Sequence, residues 1–170
     1  GVGATDQCTP FASVPYGFDA GVVAYNVSGT DSLNLGYKTL ASVLNGEITT
    51  WNDPAIAKDN PDLTLPELPI LVRNEAEPNS LAALVTALSF QSAKLDASAF
   101  SAINLFDGSV PEPLADGEVA IIPNSVAVIN GLLTLGLNSG KKDAETGEKL
   151  FATAGEVSLY AAGSQLVGKT

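Results

Sequence analysis

The chain has 170 residues, 45% of them hydrophobic and 16% charged, which is the composition of one globular domain able to bury its own core. Eight Lys and Arg stand against 19 Asp and Glu, and the resulting net charge of −11 repels a nucleic-acid backbone and opposes an anionic membrane. The absence of histidine and the presence of one cysteine exclude a histidine-based triad, a histidine zinc site and a cysteine cluster within this chain.

Residues 1–14 read as a loose N-terminal segment, in which Cys8 is expected to be an unpaired thiol rather than one half of a disulfide to a region outside this sequence. The run AGVVAYNV at 20–27 is β-branched and ends at the turn-former SGTD, which predicts a buried strand. In GYKTLASVLNGEI, Leu40, Val43, Leu44 and Ile48 recur at helical spacing and Gly46 stops the helix. TTWNDPAIAKDNP places Asp53 as an N-cap before Pro54, with Asn60 and Pro61 closing a short helix. Trp51 precedes that cap and is expected to cover apolar surface rather than to stack on a ligand.

LPILVR at 68–73 predicts a second strand. From Pro78, Leu81, Leu84, Val85 and Leu88 form one apolar stripe, so a helix follows at once. All four, with Leu71, are expected to be buried. SAKLDASAFSAI reads as further helix, and FDGSVPEPLADGE, with Asp107, Glu112, Asp116 and Glu118, as a solvated acidic loop whose spacing fits no calcium-binding pattern. EVAII is a third strand, SVAVINGLLTLGLN a helix, KKDAETGEK a turn and GEVSLYAAGSQL a closing element. Although 119–140 carries no charge, Pro123, Asn124, Asn130 and Gly131 interrupt it, so a strand, a turn and a helix are expected in place of a membrane span. Strands alternating with helices predict an α/β fold.

The segments YGFDAGVVAYNVSG and TLASVLNGEITTWNDPAIAKDNPDLTLPELPILVRN resemble the phosphate-binding proteins of ABC transporters, in the PBP-like superfamily. The features recur in that family's order: a strand, a helix, a Gly-x-Ile-x-x-Trp-x-Asp-Pro turn, an Asn-Pro and a Leu-Pro. Looser likenesses follow at ADGEVAIIPNSVAV and GEVSLYAAGSQL. The resemblance implies one periplasmic-binding-protein-like domain over 1–170, the second lobe alone of a type II fold, with a central, mostly parallel sheet flanked by helices. It also implies an extracytoplasmic, solute-binding, non-catalytic role without cofactor or metal. Its partners would be a small anion and a second lobe or neighbouring domains, with no nucleic acid and no membrane insertion by this segment.

In that family the segment matching 73–79 reads Arg-x-Asp-x-Ser-Gly-Thr, whose hydroxyls and backbone N–H groups hold an oxyanion at a helix N-terminus. Here the chain's lone arginine, Arg73, matches the Arg, and Glu75 stands at the Asp position. Glu77, Pro78 and Asn79 replace Ser, Gly and Thr. The resemblance therefore implies Arg73, Glu75, Asn79 and Ser80 as ligand-binding residues, yet Pro78 lacks an N–H and Glu77 adds a carboxylate where the anion would sit. Three outcomes stay open from the residues alone. Glu77 caps the helix while Arg73 pairs with Glu75 or Glu77; or Arg73, Asn79 and Ser80 retain an anion; or the ligand has changed, for example to a cation. The first is the expectation, and with it the loss of phosphate binding.

Overall fold

The structure is a computed structural model that describes residues 21–104 and 112–153. The segment 1–14 with Cys8, Asp107 and the stretch GEVSLYAAGSQL lie outside them. The described chain runs β1 (Gly21–Tyr25), β2 (Asn34–Leu35), α1 (Tyr37–Leu44), α2 (Pro54–Asp59), β3 (Leu71–Val72), β4 (Glu75–Ala76), α3 (Pro78–Phe90), β5 (Ser101–Ala102), β6 (Glu118–Pro123), α4 (Asn124–Ile129), β7 (Leu133–Thr134), β8 (Gly136–Lys142) and β9 (Lys149–Thr153).

The central sheet has the order β3-β6-β1-β7. Val22 to Tyr25 of β1 and Val119 to Ile122 of β6 are all buried, as expected of strands covered on both faces. Helices α3 and α4 pack on these two strands. The α/β class stands, but the strand directions differ from the mostly parallel expectation. β1 runs antiparallel to both β6 and β7, and only the β3–β6 pair of this sheet is parallel. The partners Val23 and Ile121 are far apart in sequence, so local alternation of strands and helices carries no information about their direction. Parallel pairing recurs outside it, in β2–β8 and β4–β5, while β8 and β9 form an antiparallel hairpin.

Several elements form as their residues dictate. Gly46 takes φ +76° just beyond α1, and Asp53 accepts the Ala55 N–H at 2.8 Å with Pro54 at the first position of α2. Trp51 is fully buried, 6.4 Å from Tyr25 between ring centroids, and donates Nε1–H to the Gly117 carbonyl at 3.0 Å.

Four expectations are corrected. The strand at 68–73 shrinks to Leu71–Val72, because Pro69 bridges to Thr50 and Ile70 donates to the Thr49 carbonyl. Leu71 lies on this edge strand and is 50% exposed, while Leu81 and Val85 are half-buried and only Leu84 and Leu88 of the stripe reach the core. SAKLDASAFSAI forms one 3-10 turn, Ala97–Ala99, capped by Asp96, and then β5. SVAVINGLLTLGLN is helical only at its start, since Gly131 turns the chain at φ +62° into β7 and β8. Apolar period alone did not separate this short helix from the strands that follow.

Candidate functional site

The turn that joins β3 to α3 lies beside the start of β6. Arg73 follows β3 directly and donates its N–H to the Val119 carbonyl at 2.9 Å, continuing the β3–β6 ladder for one more residue. That register puts the guanidinium next to Glu118. Arg73 Nε donates to Glu118 Oε1 at 2.8 Å and Nη2 to Oε2 at 3.0 Å, a two-pronged ion pair. Nη1 and Nη2 also donate to the carbonyls of Glu112 and Pro113, at 3.1 and 3.4 Å.

Glu118 is held in turn by the Ala115 N–H, 2.8 Å from Oε2. Burial raises the pKa of the Glu118 carboxyl, but Arg73 and the Ala115 N–H outweigh it and hold the group below the ordinary value. Gly117, at φ +86°, precedes it. Its carbonyl accepts both Trp51 Nε1–H and the Leu71 N–H, each at 3.0 Å, and a Cβ there would collide with the Pro69 carbonyl. The Asp-Gly-Glu sequence thus fixes where β3, β6 and the Arg73 pair meet.

Glu77 is the N-cap of α3, with Pro78 at the first helical position. Its side chain is enclosed, the residue being 4% exposed. Oε1 accepts the Asn79 N–H at 3.0 Å and the Asn79 side-chain amide at 2.9 Å. Oε2 accepts the Ser80 N–H at 2.7 Å and the Ser80 hydroxyl at 2.8 Å. Burial raises this carboxyl's pKa too, yet the donors from Asn79 and Ser80 together leave it lowered. Two backbone N–H groups, a hydroxyl and an amide converging at a helix start are the donor set an oxyanion requires. Glu77 supplies that oxyanion from within the chain.

β1 closes the site from behind. A Cβ at Gly21 would lie 2.6 Å from the Ser80 carbonyl oxygen, so only glycine lets the strand pass this close to the first turn of α3.

The four residues expected from the resemblance separate into two groups. Asn79 and Ser80 share the Glu77 carboxylate, whereas Arg73 is taken by Glu118 and Glu75 is exposed on β4. The expected cap by Glu77 is present. The expected pairing of Arg73 with Glu75 or Glu77 is corrected: among the described residues its ion pair is with Glu118, supplied by β6 across the sheet. Glu118, read from sequence as part of a solvated loop, is the site residue that was missed. Its signal was non-local, the register of β6 against β3. Among the described residues no cluster of three metal-ligating side chains occurs, and no helix is long and apolar enough to cross a membrane.

The profile of the PBP superfamily domain matches residues 2–143. Phosphate-binding protein PstS3 of Mycobacterium bovis BCG is 47% identical over 58 residues, which cover 34% of this chain and 16% of that protein. PstS 3 of Mycobacterium leprae is 45% identical over 60 residues, and PstS2 of Mycobacterium bovis BCG is 40% identical over 70 residues, 41% of this chain and 19% of that protein. The chain therefore matches less than a fifth of the length of these relatives. Among solved structures, the ancestral soluble variant of the human phosphate binding protein is similar over 80% of this chain and 41% of that one, at 14% identity and a TM-score of 0.46.

Proposed function

The chain belongs to the PBP superfamily, and from that premise we propose that it is a non-catalytic, extracytoplasmic domain descended from a phosphate-binding lobe. In this reading the oxyanion-binding turn has been filled by the chain's own carboxylate, and the domain serves a structural, interaction or sensing role. The observation that carries it is the Glu77 carboxylate, which holds four donors at the start of α3 at 2.7 to 3.0 Å. A second anion on those donors would have to displace Glu77 into a chain of net charge −11. The arginine that would bring charge to the turn is engaged with Glu118. The likeness to proteins named for phosphate binding supports a solute-binding ancestry and a non-enzymatic role.

A second reading is favoured by the 40 to 47% identity to those proteins: a genuine phosphate or anion receptor of an ABC transporter, of which this chain is one lobe. The two readings differ in the effect of restoring the family residues. We expect Glu77→Ser with Pro78→Gly and Asn79→Thr to create phosphate binding that the parent chain lacks, measured by calorimetry at low salt. A parent that already binds as tightly as the triple variant contradicts the self-filled turn and supports the receptor.

A further inference from the structure

A second feature of the surface is independent of the Arg73 turn. An open depression of about 360 Å³ lies where the first turn of α1, the end of α2 and the start of β9 come together. Three of the chain's eight basic residues, Lys38, Lys58 and Lys149, line it, with Tyr37, Thr39 and one acidic residue, Asp59. The Asp59 carboxylate is already engaged. Oδ2 accepts the Gly36 N–H at 2.7 Å, and Oδ1 lies 3.6 Å from Lys149 Nζ. Lys38 and Lys58 have no ion pair among the described residues.

In a chain of net charge −11, two cations with no ion pair among the described residues, beside a depression of ligand size, make a local exception to the field of the whole molecule. We propose that this depression is a binding site for a small multivalent oxyanion. The volume suits an organic anion larger than a single inorganic ion. Lys38 and Lys58 supply the charge, the Thr39 hydroxyl is available as a neutral donor, and Asp59 holds Lys149 at the rim.

Citrate is the probe, titrated by calorimetry into the 170-residue chain at low ionic strength. Saturable binding with a dissociation constant below about 1 mM is expected. Lys38→Gln with Lys58→Gln should weaken it about five- to tenfold, the effect of two exposed ion pairs. Lys94→Gln removes a charge from an exposed position elsewhere and should leave it unchanged. In the unmodified chain, the amide resonances of Thr39, Ala55 and Asp59 should shift on titration, a readout that does not depend on any variant folding. Absence of saturable binding overturns the proposal. So does weakening by Lys94→Gln as large as that by Lys38→Gln with Lys58→Gln, or loss of binding on Arg73→Ala, which would put the anion at the turn before α3 instead.

Discussion

Replacing Glu77 with alanine removes an N-cap and leaves the donors of Asn79 and Ser80 without their acceptor. Loss of an N-cap side chain costs about 0.5–2 kcal/mol. Because Ser80 is 2% exposed, its hydroxyl cannot turn to water, and a buried polar group without a partner costs about 1–3 kcal/mol more. The sum expected is roughly 2–4 kcal/mol, partly relieved by water entering the space of the lost side chain. For a domain of this size that corresponds to a fall in melting temperature of roughly 10 °C. The chain's single tryptophan, fully buried, supplies the assay, since its emission reports unfolding in urea directly. If the donors form an oxyanion site, formate should restore part of the lost melting temperature in Glu77→Ala and do less for the parent. The pH dependence has a definite sign. The folded pKa of Glu77 is depressed, so its contribution is complete above the unfolded-state value near about 4.3 and is lost as pH falls through the folded value. The stability gap between parent and variant should therefore narrow as pH drops below about 4. A loss under about 0.5 kcal/mol, with no response to formate, would refute the reasoning, because that is the effect of a neutral surface change.

Three other substitutions test the frame of the site. Arg73→Ala and Glu118→Ala should each destabilise by about 1–2 kcal/mol and be non-additive by about 1 kcal/mol in a double-mutant cycle, since the pair is two-pronged and largely shielded; additivity would mean that the pairing contributes nothing. Gly21→Ala should cost more than about 2 kcal/mol, because its Cβ meets backbone, the Ser80 carbonyl at 2.6 Å, and not a flexible side chain; an unchanged urea midpoint would show that β1 does not hold the start of α3 this closely.

The elements that sequence made legible are those whose cause is local. Asp53-Pro54, Glu77-Pro78 and Gly46 act within one helical turn, so the starts of α2 and α3 and the end of α1 follow from residue identity. The capping half of the site was legible for the same reason. The other half was not. Glu118 reaches Arg73 through the pairing of β6 with β3, 45 residues away, and nothing in LADGEV marks that register. Leu71 misled in the same way: an apolar residue on a two-residue edge strand has no neighbour to cover it, and its 50% exposure reflects sheet order, which its own sequence neighbourhood does not encode. The antiparallel pairing of β1 with β6 and the division of SVAVINGLLTLGLN into a helix and two strands are likewise decided by distant partners.

The most direct test of the self-filled turn is titration of inorganic phosphate into the unmodified chain at low salt, repeated with Arg73→Ala. With the donors of α3 held by Glu77 and the guanidinium held by Glu118, no saturable binding tighter than about 1 mM, roughly −4 kcal/mol, is predicted in either protein. A micromolar dissociation constant in the unmodified chain that Arg73→Ala abolishes would contradict the account and establish the turn as a working receptor site.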